Sequence, residues 1–428
     1  MIGESPGQVV NVPPGKYYFS SAPNVDYRTW SIIGSAPAHM GYGQTGPLRA
    51  ATQFIYDGDE TFLDVPYVLP VSNNYNRHLG PYCLANLLIK ADGQGGVLNI
   101  GNDADDIRGG LQSKGIHVTG CTFLLNNQIW GSQNNQEFLR ANGTINRQDA
   151  RGFGIRATKA YRLVIKDTDI VGGFYGVDLR GCDRPVLRNV HARLNVVNFR
   201  HMRCDLNRAA SVPGSWDVYA ESTTGIGLWA DSAMVHNYRC ETGWHRVGEF
   251  DAPFSWSIRV ARKEWIDLDP TEPGTDARDY FEPGFPIQLI ADDGKTYYLL
   301  IRSVEDNRLE FSNSDFQCRF DEPAQGTAIK RYFGTAFVLD GAHAALTGGQ
   351  SWSLNTRHPN LPIGFAALNI GRTRVNGTYA TWGKYDKTNC VAVIGHNKGH
   401  PRHDPVLDYI GGADIFAPAP SDFVKRIP

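Results

Sequence analysis

The chain has 428 residues, with 42 basic against 44 acidic side chains. That length exceeds what one compact core fills and suits one elongated domain or two to three compact ones. The charge balance lacks the basic excess expected of a nucleic-acid binder, and no apolar run reaches the roughly 18 residues of a membrane-spanning helix.

Glycine is abundant, at 46 residues, Asn and Asp are frequent, and long runs of Ala, Leu, Glu and Lys are missing. This favours many short strands joined by turns. Seven cysteines (Cys83, Cys121, Cys182, Cys204, Cys240, Cys318 and Cys390) are scattered without a CxxC pair. They read as small buried thiols rather than as a disulfide framework or a zinc knuckle. The start MIGESPGQVV shows no basic-then-apolar leader, so no signal peptide is visible.

In chain order, GQVVNVPPGKYYFSS (7–21) and WSIIGSAPAHMG followed by TQFIYDGD (30–59) read as a first set of strands. KGIHVTGCTFLLNN (114–127) alternates apolar residues by two. Residues 153–196 then say nearly the same thing twice, as two 22-residue segments, FGIRATKAYRLVIKDTDIVGGF and YGVDLRGCDRPVLRNVHARLNV. Phe153 aligns with Tyr175, Gly154 with Gly176, Ile155 with Val177, Arg162 with Arg184, Val164 with Val186 and Lys166 with Arg188. Alternation within each segment predicts strands. A repeat of this length predicts stacked coils, with strand spacing of about 4.8 Å from one to the next. The pattern returns at 224–241, 334–355 and 363–382.

Residues 254–332 break the pattern. FPIQLIADDGKTYYLLIRSVEDNRLEFSNSD predicts antiparallel hairpins with turns at Asp-Asp-Gly-Lys and Glu-Asp-Asn. This insertion is expected to leave the coils after Trp256 and return at Gly334, either as a wall of a binding cleft or as a decoration. The segment from 396 onward is rich in Pro, Gly and His. It reads as a solvated tail, its His396, His400 and His403 included. The organisation is therefore coils over 1–253, a small inserted β domain over 254–333, returning coils over 334–395 and a tail over 396–428.

The opening residues resemble those of pectate-lyase-like β-helix proteins: Val10, Val12, Pro14, Gly15 and Tyr17, then Ile33 and Gly34, then Thr52, Phe54, Tyr56 and Gly58. In that family a strand leads into Pro-x-Gly-x-Tyr before the first coils. The chain departs from the family in carrying only MIGESP where an amphipathic capping helix usually stands. The resemblance implies an all-β, right-handed, single-stranded parallel β-helix with a small antiparallel insertion. It also implies the company of phage tailspikes and of polysaccharide lyases, epimerases and hydrolases.

From that resemblance follows the expectation of a tailspike-like depolymerase, a homotrimer in a virion tail fibre or spike, hydrolysing a bacterial surface polysaccharide. A secreted lyase or epimerase acting on uronate polymers, and a non-catalytic glycan-binding β-helix, are the alternatives. No cofactor, metal, nucleic acid or membrane is expected.

Hydrolysis needs two carboxylates, about 5–5.5 Å apart for retention or about 6.5–9.5 Å apart for inversion, and adjacent rungs can supply them. Elimination instead needs a base and a group that neutralises a uronate carboxylate. The candidates for catalysis are Asp178, Asp205 and Glu241. Those for substrate binding are Arg156, Arg180, Arg200, His201, Trp229, Trp244 and His245. Asp178 and Arg156 occupy equivalent positions of the two repeats, which also fits a cross-strand ion pair. Glu241, Trp244 and His245 sit together in YRCETGWH (238–245), which suits a sugar subsite, since an indole stacks on a pyranose; a loop with a partly buried tryptophan fits as well. The arginines of 180–208 suit an anionic ligand or a solvated ladder paired with aspartates. Trp216 and Trp229 each fit a core position as well as a platform.

Overall fold

The computed structural model describes residues 8–25, 30–38, 51–65, 82–91, 95–101, 115–125, 152–160, 162–195, 197–202, 215–223, 226–236, 239–242, 249–260, 265–281, 286–311, 320, 322–332, 335–353, 363–368, 372–379, 390–393, 406–410, 414–416 and 424–426. The chain divides into two compact units. One comprises Met1–Gln136, Asp149–Glu221 and Ser232–Tyr238; the other comprises Glu137–Gln148, Ser222–Asp231 and Arg239–Pro428.

The first unit is a parallel β-helix, and the two repeats are consecutive turns of it. Phe153 pairs with Tyr175, Ile155 with Val177 and Ala157 with Leu179. Val164 pairs with Val186, Ile165 with Leu187 and Lys166 with Arg188. Three columns of parallel strands run through the unit, with the right-handed winding that parallel connections in one sheet take. The first column stacks Gln8–Asn11, Trp30–Ile33, Tyr82–Ala85 and Ile116–Thr119 onto the starts of Val164–Val171, Val186–Arg193 and Ser215–Thr223. The second stacks Gly15–Phe19, Thr52–Tyr56, Leu88–Ala91 and Thr122–Leu125 onto the ends of those three long strands. The third stacks Leu63–Val65, Leu98–Ile100, Phe153–Thr158, Tyr175–Arg180 and Val197–Met202.

Alternation decides which side chains fill the interior. In the first column Ile32, Leu84, Val118, Ile165, Leu187 and Trp216 lie in register and are each 2% exposed or less. In the third, Leu63, Leu98, Ile155, Val177 and Phe199 do the same. Burying each such side chain contributes about 1.5–3 kcal/mol before chain entropy is counted. Trp216 thus belongs to the core.

The corners repeat as faithfully as the strands. Left-handed backbone occurs at Lys159 and Gly181, Arg162 and Arg184, Asp167 and Asn189, and Gly172 and Leu194, each pair one 22-residue repeat apart. At the turn between the first and second columns, Asn86 and Gly120 take the same conformation. Gly, Asn and Asp tolerate that region best, because a short polar side chain bonds locally and glycine has no Cβ. Gly154 and Gly176 are required for a different reason. A Cβ on Gly154 would stand 2.3 Å from Ile170 Cγ2, and one on Gly176 would stand 2.4 Å from the Asn198 carbonyl oxygen.

Within the second unit, an eight-stranded sheet of antiparallel strands runs from Glu249–Asp251 to Ala328–Tyr332. Pro286–Ile290 pairs with Thr296–Glu305 across the Asp292–Lys295 turn, and Thr296–Glu305 pairs with Arg308–Phe311 across the next one. Both predicted hairpins are present. Trp256 is not the last residue before the insertion: it is 2% exposed inside this sheet, pairs with Leu268 and Gly326, and donates Nε1–H to the Ala328 carbonyl at 3.2 Å.

The same unit carries parallel rungs. Arg239–Thr242 pairs with Gln350–Ser353. Ile363–Leu368 and Arg372–Tyr379 pair with Thr335–Ser353. The segment expected to be a tail continues them: Val406–Ile410 pairs with Arg372–Asn376, Val424–Arg426 with Leu407–Tyr409, and Asp414–Phe416 with Cys390–Ala392. The short apolar runs VLDYI and DIF supply the alternation of these strands.

Candidate functional site

Because inward and outward positions alternate, the third column that buries Leu63, Leu98, Ile155, Val177 and Phe199 must point the next residue of each strand outward. Those residues are Asp64, Asn99, Arg156, Asp178 and Arg200, which lie in one register. They form a five-rung polar ladder of about 19 Å at the usual strand spacing.

Two sets of neighbouring rungs are paired, Asp64 with Asn99 and Asp178 with the arginines on either side. Asn99 Nδ2 donates to Asp64 Oδ1 at 2.8 Å. Arg156 Nε donates to Asp178 Oδ2 at 3.1 Å, and Arg180 Nε to the same oxygen at 3.0 Å. Arg200 Nη1 stands 3.7 Å from Asp178 Oδ1. The Asp178 side chain has 0% exposure, while Arg156, Arg180 and Arg200 keep 27%, 24% and 19%. One carboxylate therefore anchors three guanidiniums whose outer edges reach solvent.

Burial pushes the Asp178 carboxyl up, but the charges of Arg200, Arg180 and Arg156 together outweigh it and hold the group below the usual carboxylate range. The Arg156 guanidinium is drawn down by burial, with Asp178 opposing; arginine stays charged regardless. Aromatic faces support the cations: the Arg156 guanidinium lies 4.0 Å from the centroid of Phe153, and that of Arg200 5.4 Å from Tyr175. Arg200 Nη1 also donates to the Tyr175 hydroxyl at 3.3 Å. Stacking and ion pairing together fix the guanidinium planes.

His201 was expected on the outer face and points the other way. It continues the inward series Val65, Ile100, Ala157 and Leu179, has 0% exposure, stacks 5.5 Å from Trp216, and sits with Nε2 3.3 Å from the Cys182 carbonyl oxygen. The reason is parity: Phe199 is apolar and inward, so Arg200 faces out and His201 faces in.

Of the remaining candidates, Glu241 lies on the strand Arg239–Thr242 and Trp229 on Ile226–His236, both within the second unit. Asp205, Trp244, His245 and the three tail histidines lie outside the described residues. Among the described residues no group of three His, Cys, Asp or Glu side chains is placed to hold a metal ion. Cys121 and Cys182 are buried in the interior, and burial pushes the Cys121 thiol up to about 12.

Two groups of residues were missed in the sequence. Asp64 and Asn99 are separated by 35 residues, so the short repeat did not reach them. On the second column, Asp169, His191 and Tyr219 occupy one register on successive turns. His191 Nδ1 is 3.4 Å from Asp169 Oδ1, and its ring stacks 4.7 Å from that of Tyr219 at an interplanar angle of 8°. The 22-residue alignment does place Asp169 over His191. Elsewhere on that column the chain covers itself: Leu88, Leu124 and Val171 pack with Ala38 and Leu194.

No protein-family model matches the chain, and no curated protein matches it. Among solved structures, the chain is similar to DFA-IIIase from Arthrobacter chlorophenolicus A6 without its lid, at TM-score 0.39 and 11% identity over 99% of this chain and 88% of that one. It is similar to the A-module of the Azotobacter vinelandii mannuronan C-5 epimerase AlgE4, at TM-score 0.36 and 8% identity over 99% and 91%. A third is the catalytic domain of a GH87 alpha-1,3-glucanase in complex with tetrasaccharides, at TM-score 0.35 and 8% identity over 98% and 63%. The fold assignment rests on the strand register within the chain itself.

Proposed function

We propose that the protein is a carbohydrate-active β-helix that takes an acidic polysaccharide along the outer face of the third column. The observation that carries this reading is the single outward register Asp64–Asn99–Arg156–Asp178–Arg200, ion-paired from Arg156 through Asp178 to Arg200. The guanidiniums of Arg156 and Arg200, two rungs apart on either side of Asp178, give an extended anionic polymer two donor positions on one sheet face. Guanidiniums held in plane by Asp178, Phe153 and Tyr175 are preorganised for the carboxylate or sulfate of an acidic sugar.

Asp178 acts here as a positioning residue. A carboxylate with no exposed surface, held ionised, neither reaches a glycosidic oxygen nor donates a proton to it. On this first unit the proton-handling carboxylate proposed for hydrolysis is then Asp205, with Arg156, Arg180 and Arg200 as the anion-binding face; within the second unit Glu241 is proposed as a proton-handling carboxylate of its own, with Trp229, Trp244 and His245 as sugar-binding groups. The opening segment PPGKYYF supports placing this activity in a depolymerase of the phage tailspike type, a homotrimer carried on a virion.

A second reading is β-elimination on a uronate polymer. The same arginines favour it, since they would neutralise the carboxylate beside the carbon that loses its proton.

One experiment separates these readings. The full chain is incubated with polygalacturonate, alginate, hyaluronan and dextran. Binding is followed by affinity electrophoresis, and products by reducing ends and by the ultraviolet absorbance of unsaturated uronates. Salt-sensitive retention on acidic polymers with new reducing ends and no absorbance is the expected result. Absorbance would establish elimination, and binding with no products would leave an adhesin. Retention on the acidic polymers that Arg156→Ala leaves unchanged would overturn the assignment.

A further inference from the structure

The inserted antiparallel sheet carries a cleft of its own, of about 880 Å³, within the size range of small-ligand sites. Its lining is polar, with Arg259, Asp267, Arg278, Asp306, Asn307 and Arg308, and includes two apolar side chains, Leu268 and Val304. Arg308 donates Nη2–H to Asp267 Oδ1 at 3.1 Å, and Arg259 Nε approaches Asp267 Oδ2 at 3.8 Å. Arg278 Nη2 lies 2.7 Å from Asp276 Oδ2 and 2.9 Å from Asp306 Oδ1. The Arg308 guanidinium sits 5.0 Å from the Trp265 ring centroid. The lining residues thus pair with one another around the cleft.

Its chemistry differs from that of the ladder. Three guanidiniums (Arg259, Arg278 and Arg308) face three carboxylates (Asp267, Glu305 and Asp306) in one cleft. An anion meets the carboxylates and a cation meets the guanidiniums, so neither gains. A neutral ligand whose adjacent hydroxyls each donate and accept matches paired donors and acceptors at hydrogen-bond spacing. Few apolar groups line the cleft, so a flat apolar ligand has little to bury there.

We infer that this cleft is a second binding site, specific for neutral, hydroxyl-rich sugars, and that the insertion serves as an accessory carbohydrate-binding module. The inference stands on the cleft alone and does not depend on what the ladder binds.

The test uses the full chain in affinity electrophoresis with dextran, soluble mannan and laminarin as neutral probes and polygalacturonate as the acidic one. The expected result is retardation by at least one neutral probe that survives added salt. Asp306→Ala with Asn307→Ala, on the exposed turn, should weaken that retardation tenfold or more and leave polygalacturonate retention unchanged. Arg278→Ala, with melting followed by circular dichroism, gives a second route to the same loss. Arg156→Ala on the ladder should leave neutral retardation intact. No retardation by any neutral probe, or native retardation in both the turn double variant and Arg278→Ala, would overturn the inference whatever the ladder does with polygalacturonate.

Discussion

Asn189 Nδ2 donates to Asp167 Oδ1 at 2.7 Å, and both residues hold left-handed backbone, with φ of 52° and 47°. The two sit one above the other at the bend between the first and second strand columns. Each accepts an unfavourable φ so that the chain can turn, and the bond joins one turn of the helix to the next.

This makes Asn189 a stability determinant on the surface. Asn189→Ala should lose about 1–2 kcal/mol from left-handed strain and about 0.5–1.5 kcal/mol from the lost hydrogen bond. Asn189→Gly should lose only the second amount, since glycine carries no strain there. Thermal melting of the two variants checks the order. An alanine variant as stable as the glycine variant would show that the bend is not strained.

Asp178→Asn probes the centre of the ladder. Read as a catalytic carboxylate, Asp178 could be neutralised without loss of stability. Read as the anchor of three guanidiniums, it could not. Because those guanidiniums keep 19–27% exposure, water screens part of the loss. We expect a cost of about 1–3 kcal/mol, below the roughly 3–5 kcal/mol of a fully buried pair.

The pH dependence carries a sign. The folded-state carboxyl of Asp178 lies below its unfolded value of about 3.9. Its stabilisation is therefore fully present above about pH 4 and is lost as pH falls through the folded value. The native chain and Asp178→Asn should differ most near neutrality and converge in acid. A gap that widens below pH 4 would contradict an ionised anchor.

Arg156→Ala and Arg200→Ala remove one outward donor each. Each should weaken retention on polygalacturonate about tenfold, equivalent to about 1.4 kcal/mol. Added salt should narrow the difference, because partly exposed charges are screened. Loss of retention that is indifferent to salt would point to a distorted sheet instead.

The parts of this molecule that could be read from sequence are those where the repeat is short and the alternation clean. Arg156 and Asp178 fall on equivalent positions of two adjoining 22-residue segments, so their contact follows from the pattern. Asp64 and Asn99 belong to the same ladder, but long excursions between the early rungs hide the period. Arg162, Arg184 and Leu194 carry no local mark of a left-handed backbone, whereas Asp167, Asn189 and Gly172 are of the residue types that take it most readily. The rungs after residue 396 escaped notice because Pro and Gly dominate the composition around a few short apolar runs. Where a strand holds both an apolar residue and a histidine, as in Val197–Met202, chemistry suggested a site while parity had already fixed the direction.

His201 turns that last point into an experiment. Its ring fills the position above Leu179 and stacks beside Trp216, so leucine should take its place with similar volume. His201→Leu forfeits the contact with the Cys182 carbonyl, worth about 1 kcal/mol, and regains part of that by apolar burial. Melting should shift by no more than a few degrees, and retention on acidic polysaccharide should match the native chain. His201→Asp should fail to fold, since an unpaired charge would then lie inside the coil. If His201→Leu instead melts normally but binds tenfold more weakly, the ring belongs to the ligand face, and the inward register assigned to this strand is wrong.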